Sequence, residues 1–304
     1  MLNFTDLKLS DIETVRPYLA MQNTKICDYS VGGIFMWRDF FHTRYALYND
    51  TLVFQVKYLG GVTAFTVPLG KDPSGALEQI ERYCAESGIP LAYCTVPNGE
   101  IPILKHRYPD AQVIPTRDWF DYLYRAQDLA NFSGKKYDGQ RNHIHRFQRM
   151  YPDYAFQEIT EENIGRVRSF YADFIARFQK DSPVAREEAA KTAEVLEHYR
   201  EYPMFGGFLT VNGVIIAFSV GERVRDTVFV HIEKADISYQ GCYQVMVQEF
   251  VKHFAGDAEF INREEDVGDA GLRKSKLSYH PVELLEKSTV KCIPQLWIMN
   301  AGLP

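Results

Sequence analysis

One order of elements occurs twice along this chain, and that repetition limits the fold more than any single motif. In the first half, YALYND and TLVFQVK alternate apolar and polar residues and meet at Asn49-Asp50, a hairpin signal. VTAFTVPL follows as a third strand, GALEQIERYCAESG as a helix over roughly 74–87 closed by Gly88, and PLAYCTV as a short apolar strand. In the second half MFGGFLTV and VIIAFSV flank Asn212-Gly213, the strongest short hairpin turn, and TVFVHIEK is again a third strand. The loop ISYQGCYQ then opens a helix to about residue 254, and AEFIN is the next strand. Each half is therefore three meandering strands, a loop, a helix and a strand. That order predicts an α/β (α+β) protein with two mixed sheets flanked by helices. At 304 residues the chain suits two domains of about 150 residues, placed at 1–150 and 151–304. Around this frame, Ser10 is set to cap a helix over 11–20, and a second helix runs through Phe35–Phe41. The strand WFDYLYR (119–125), a basic helix KKYDGQRNHIHRFQRM, and helices over 161–178 and 186–200 link the halves.

Composition then narrows the function. Net charge is −6, which argues against broad coating of nucleic acid but leaves room for a local basic patch. The five cysteines are scattered with no CxxC pair, which predicts reduced thiols in a cytoplasmic protein rather than a disulfide framework or a zinc site. His143 and His145 are the one close histidine pair and fall on different faces of a helix, so no metal is expected. No run of 18 apolar residues is present and the N-terminus has no secretory pattern, so neither a membrane span nor an export signal is expected.

Three stretches are candidates for chemistry. The loop Tyr239-Gln240-Gly241-Cys242-Tyr243 precedes a helix, whose free amides and positive dipole end suit the phosphates of an acyl donor, with Gly241 allowing close backbone approach. An ordinary strand-to-helix turn is the plainer reading. The segment after AEFIN sets Asn262, Arg263, Glu264, Glu265 and Asp266 at the C-terminal end of a strand, where open α/β sheets bind ligands. Arg273, Lys274 and Lys276 follow, with Tyr279 behind them. A solvated charged loop is the alternative, although alternating acids and bases suit a polar pocket better. In the basic helix, Lys136, Arg141, Asn142, His145 and Arg146 offer a surface for phosphate, with Arg141, His145 and Arg149 on one face. An interdomain helix whose cations pair with neighbouring acids fits equally well.

The runs FSGKKYDGQRNHIHRF (132–147) and INREEDVGDAGLRKSKLSYHPVELLEK (261–287) resemble the phosphatidylglycerol lysyltransferase C-terminal domain family over most of the chain. That resemblance implies two tandem GNAT-like (acyl-CoA N-acyltransferase) domains, similar to the Fem-type peptidoglycan aminoacyltransferases. It implies a donor that is acyl-CoA or aminoacyl-tRNA, and so contact with a tRNA acceptor end. The lipid-modifying members carry a large membrane region for which this sequence shows no counterpart, so a lipid headgroup as acceptor has no support from it. Within such a fold Glu233, at the end of TVFVHIEK, holds the place of a general base. His231, two residues earlier and so on the same strand face, and Tyr279 are further catalytic candidates. The expected function is acyl or aminoacyl transfer to an amine or hydroxyl. The contrasting expectation is a degenerate, non-catalytic binder of a nucleotide, a tRNA end or a protein partner.

Overall fold

A computed structural model describes residues 2–58, 61–178 and 181–292. Its strands are β1 (Thr5–Asp6), β2 (Arg44–Tyr48), β3 (Thr51–Tyr58), β4 (Val62–Phe65), β5 (Leu69–Gly70), β6 (Ala92–Pro97), β7 (Gln112–Pro115) and β8 (Asp121–Arg125). Then come β9 (Ala155–Glu158), β10 (Phe205–Val211), β11 (Val214–Val224), β12 (Thr227–Ala235), β13 (Phe260–Asn262), β14 (Glu283–Leu285) and β15 (Lys287–Lys291). The helices are α1 (Ile12–Leu19), α2 (Val31–Met36), α3 (Pro73–Ser87), α4 (Ile101–Arg107), α5 (Ala126–Asn131), α6 (Asp138–Met150), α7 (Ile164–Phe178), α8 (Pro183–Glu197), α9 (Cys242–Phe254) and α10 (Ala270–Leu277).

Two mixed sheets form, and their main paths match strand for strand, the short β5 pairing with β3 beside the first. The first runs β1-β2-β3-β4-β6-β15-β7 and the second β9-β10-β11-β12-β13-β8-β14. In each, four antiparallel strands are followed by one parallel pair, β4 with β6 or β12 with β13, and then by antiparallel pairs. The helix between the parallel strands is α3 in one and α9 in the other. The sixth strand of each sheet comes from the other half of the chain: β15 lies between β6 and β7, and β8 between β13 and β14. The sheets therefore do not divide at residue 150. The first draws on residues 287–291 and the second on 121–125.

Local chemistry explains most boundaries. Asn49 and Asp50 adopt φ of 45° and 53°, and Asn212 and Gly213 adopt 50° and 76°, the paired left-handed conformations a tight two-residue hairpin needs. Asp72 caps α3 by accepting from the Gly75 amide, and Gly88 ends it at φ 64°. Two expectations near the N-terminus are corrected. Ser10 does not cap; a 3-10 turn over Leu9–Asp11 leads into α1, and Asp11 accepts from the Lys8 amide instead. The second helix starts at a Ser30 cap and stops at Met36, covering only the first aromatic of the stretch Phe35–Phe41. Arg38 helps to end it by donating to the Phe35 carbonyl at 2.7 Å, an acceptor that a further turn would use.

The two halves share a core. Val31, Phe35, Leu52 and Phe54 pack with Val167, Leu196, Phe208, Phe218 and Ile232 in one cluster. At its border Arg38 makes a two-pronged contact with Glu194, at 2.7 Å on each arm, and Tyr202 donates to the same carboxylate.

Candidate active site

Both sheets split at the parallel pair. β12 and β13 pair only from Thr227 to Phe229 against Phe260 to Asn262, and β4 meets β6 only at Phe65 and Tyr93. In the second sheet the split coincides with a bulge in β12, where Val220 pairs Ile232 and Gly221 pairs Val230, leaving His231 as the extra residue. The bulge breaks the alternation of faces. Val228, Val230 and Ala235 join the core under α9, whereas Ile232 joins the core shared with α2 and α8. The expectation that His231 and Glu233 share a face is thereby overturned.

Glu233 lies on the α9 side. It accepts from Arg263 at 2.8 Å, and the Arg263 guanidinium stacks 4.5 Å from the Tyr279 ring centre and 5.9 Å from that of Tyr124. Arg263 Nη1 is buried with no hydrogen-bond partner. Burial pushes the Tyr279 hydroxyl up to about 12 against the opposing pull of Arg263, so it is a protonated donor at neutral pH. Cys242, at the first turn of α9, is likewise pushed up to about 12 by burial. Gly241 caps this helix at φ 93°, but a Cβ there would come within 2.6 Å of the His143 carbonyl of α6. Its missing side chain therefore allows the close packing of α6 on α9. Tyr239 packs on Tyr151 at 5.2 Å between ring centres, and Gln240 is exposed.

His231 faces the space between the sheets. Its side chain has no solvent exposure, with Nε2 2.9 Å from Glu222 and Nδ1 2.7 Å from Glu264. Gly32 leaves room for the ring and donates its amide to Glu222 at 2.6 Å. Burial alone would lower the imidazole pKa, but the two carboxylates outweigh it and hold the group at about 10. An imidazolium with both nitrogens engaged has no lone pair left, so His231 is not a general base in this state.

Beside it Lys287 Nζ lies 2.5 Å from Asp28, 2.6 Å from Asp121 and 3.5 Å from Glu265, with Cys27 Sγ at 3.4 Å. Cys27, Asp121 and Glu265 converge as metal ligands would, but the lysine ammonium occupies the place of a cation among them. Asp28, Glu264 and Glu265 then line a small, partly enclosed cavity. Trp37, Phe41 and Trp119 form its apolar wall, and Thr66, Cys94 and Thr95 mark the split of the first sheet. The two splits thus open toward each other.

A family model for the C-terminal part of phosphatidylglycerol lysyltransferase matches residues 20–291. The chain belongs to that family. A protein of unknown function from Bacteroides thetaiotaomicron is 32% identical and superposes at a TM-score of 0.88, over 96% of this chain and 100% of that one. L-PGS from Bacillus licheniformis (13% identity, TM-score 0.63, 94% of each chain) shares the fold. So does FemX (7% identity, TM-score 0.63, 99% of this chain and 100% of that one). An uncharacterized protein of Mycoplasmoides gallisepticum is 26% identical over 196 residues, which is 64% of this chain and 62% of that protein. The chain thus matches about three fifths of the length of that curated relative. The fold is two tandem GNAT-like units, as the sequence implies. Among the described residues no helix is long and apolar enough to cross a membrane.

In this lysyltransferase-family chain several motif residues turn out to brace the site. Asn262 donates to the Lys25 carbonyl at 2.6 Å and to Asp121 at 2.8 Å, and accepts from the Glu264 amide. Asp266 is fully buried; burial raises its pKa, but Arg273 and Tyr122 more than reverse this and bring it to about 2. Lys276, its pKa pulled down by burial, ties the carbonyls of Arg263 and Glu265 together. Lys274 is exposed and, among the described residues, has no polar partner. Arg141 is spent on the carbonyls of Phe132 and Gly134 and on Asp138, and Lys136 pairs with Asp128 at 3.2 Å. Asn142, His145 and Arg146 are exposed and, among the described residues, have no polar partner.

Sequence reasoning did not find Asp28, Asp121, Glu222 or Lys287 as members of this site, whereas Glu265 belongs to the polar run it singled out. Lys287 lies inside the quoted family run. Asp28 and Glu222 carried no local signal, because the chain folds them together from positions about 190 residues apart.

Proposed function

We propose that the chain is an aminoacyltransferase that passes an aminoacyl group from an activated donor to an amine or hydroxyl. In this reading the donor's ammonium sits in the cavity between the sheets. The observation that carries it is the charge of that region. Asp28, Asp121, Glu222, Glu264 and Glu265 supply five carboxylates, against the three cations Lys287, His231 and Lys276. Burial, first of all, raises the pKa of Asp28 and Glu264, as expected where acids outnumber their counter-charges. A ligand ammonium restores the balance, and the faces of Trp37, Phe41 and Trp119 favour the same charge. An acyl-CoA donor without an amino group has nothing to place there. Membership of an aminoacyl-transferring family supports the same choice.

The chemistry follows from the split in the second sheet. The acceptor's nitrogen or oxygen attacks the donor carbonyl, a new C–N or C–O bond forms, and the bond to the donor's leaving oxygen breaks. Glu233 takes the acceptor's proton, and the leaving oxygen gains one from solvent. Arg263, whose Nη1 lacks a partner, and Tyr279 supply donors on that side of the strand. The reading keeps 1–150 and 151–304 as two domains, each lending one strand to the other's sheet.

Calorimetry with a panel of amino-acid amides and their N-acetylated counterparts tests the reading. At least one free amide should bind and its acetylated form should not, and Glu265→Gln should weaken binding by roughly tenfold or more, the scale of one charge-assisted hydrogen bond. Equal binding of acetylated and free forms refutes it. Mass spectrometry of products from charged tRNA and acyl-CoA mixtures then separates a transferase from a binder without turnover.

A further inference from the structure

One polar atom in the cavity wall has no task in the transfer chemistry. The Thr95 hydroxyl is buried and, among the described residues, has no hydrogen-bond partner. The Cys94 thiol beside it is a weak partner and turns to the Phe65 carbonyl at 3.7 Å. A buried hydroxyl left unpaired is unfavourable, and a ligand that bonds it removes that penalty.

The backbone is strained to place it there. Val290 of β15 pairs Tyr93 and Ser288 pairs Val96, so Cys94 and Thr95 of β6 together oppose Thr289. Thr95 takes φ of 47°, a left-handed conformation uncommon for a β-branched residue. Tyr93 and Val96 pack into the core beneath α3, whereas Cys94 and Thr95 both line the cavity. In an unbulged strand Thr95 would follow Tyr93 to the α3 side. Tyr29 holds the distortion: its hydroxyl accepts from the Val67 amide at 3.3 Å and donates to the Thr95 carbonyl at 3.5 Å, across the split of the first sheet. Strain that is held by its surroundings and aims an unpaired hydroxyl into a cavity points to a ligand contact.

The acids proposed to meet the ammonium are close by. Asp28 precedes Tyr29 in the chain and lines the same cavity. Burial first, and then the charge of Asp28, push the Cys94 thiol up to about 12. The lining carboxylates are themselves turned to cations, Asp28 and Glu265 to Lys287 and Glu264 to His231. Around Cys94 and Thr95 the wall is neutral: Val56 packs on Cys94, and Thr66 follows Phe65. We infer that Thr95 reads the side chain of the amino acid whose ammonium the cavity holds, and selects a neutral one ending in a hydroxyl or a carboxamide. The inference rests on the proposed function for the ammonium and goes beyond it for the side chain. A hydroxyl or carboxamide can both give and take a hydrogen bond. An aliphatic side chain of the same size leaves the Thr95 hydroxyl unpaired, and a cationic one sets its charge beside a hydroxyl that no carboxylate bonds.

Calorimetry of the full chain with matched amides tests this: serinamide against alaninamide, threoninamide against valinamide, asparaginamide against leucinamide, and lysinamide alone. At least one polar amide should bind about 10-fold or more tighter than its apolar match, the scale of one buried hydrogen bond. Thr95→Val keeps the branched shape at the strained position and should abolish that ratio without weakening the apolar match. Thr95→Ser keeps the hydroxyl and should retain the ratio, and thermal melting of both variants checks folding. Equal binding within every pair, a ratio that survives Thr95→Val, or lysinamide binding tighter than every polar amide each overturn the inference. The two ideas fail separately. N-acetylated amides that bind as well as free ones, with the polar preference intact, refute the ammonium reading and leave the role of Thr95 standing. Free amides that bind better than acetylated ones, with no polar preference, do the reverse, and no binding by any amide overturns both.

Discussion

Replacing His231 by glutamine should flatten the stability of this protein against pH. The imidazole is wedged between Glu222 and Glu264 at 2.9 and 2.7 Å and is held at about 10, against an ordinary value near 6.5. Because the folded state binds the proton more tightly than the unfolded chain does, the stabilisation is complete below pH about 6.5. It falls as pH rises toward about 10, at about 1.4 kcal/mol per pH unit. The shift amounts to about 5 kcal/mol at most, and the absence of side-chain exposure means that solvent does not screen it. Between pH 7 and 9.5 the native chain should therefore lose about 3 kcal/mol through this one group. Glu264 and Asp28 also titrate above their ordinary values, so the quantity to compare is the difference between native and His231→Gln chains at each pH. Equilibrium urea unfolding followed by tryptophan fluorescence at pH 7, 8 and 9.5 gives it. The variant should start several kcal/mol less stable at pH 7, since two buried carboxylates lose their cation, and the gap should close as pH rises. Parallel curves would refute the argument. They would mean a neutral imidazole in the folded protein, and His231 would return as a candidate base.

Two further outcomes test the other side of the strand. Glu233→Gln should lower the transfer rate by roughly 10²-fold or more while leaving donor affinity nearly intact, read from kcat and KM on the donor found by product mass spectrometry; unchanged turnover removes it as base. Gly241→Ala should cost about 1–3 kcal/mol of stability in urea unfolding, from its φ of 93° and a Cβ 2.6 Å from the His143 carbonyl; unchanged stability with lost donor binding would support the ligand-contact reading of this glycine.

Local chemistry was legible in the sequence where it acts over a few residues. The Asn49-Asp50 and Asn212-Gly213 turns, the closure of α3 by Gly88 and the repeated order of strands and helix all stand where patterning places them. The polar run from Asn262 onward does sit at the end of a strand, as its position after AEFIN predicts. Short edge elements such as β7, β9 and β14 escaped, since three or four residues carry too little periodicity to register. The β12 bulge escaped for another reason. Nothing in VFVHIEK marks one residue as extra; the offset arises from pairing with β11 through Gly221, where a Cβ would meet the Phe229 carbonyl at 2.2 Å. A period of two, carried through that bulge, misplaces every side chain beyond it. That single offset is why His231 and Glu233 were put together.

The exchange of strands explains why the candidate site lies between the sheets rather than in the C-terminal half alone. β8 leaves the first half to enter the second sheet, and β15 leaves the second half to enter the first. Each begins with a buried charge, Asp121 in β8 and Lys287 in β15, and these two meet at 2.6 Å. Neither charge has a comparable partner within its own sheet, so burial of either is costly until both strands have crossed. Once joined, the pair draws Asp28 from the segment before α2 and Glu265 from the end of β13 into the same cluster, where both also line the cavity. The crossing and the cavity are thus held by one set of residues. Residues 1–150 by themselves lack the sixth strand of the first sheet, and residues 151–304 lack that of the second. Neither part brings together the carboxylates that an ammonium would meet. A duplicated fold in this arrangement places its binding site at the seam, because the seam is where two chain halves contribute charges that neither can bury alone.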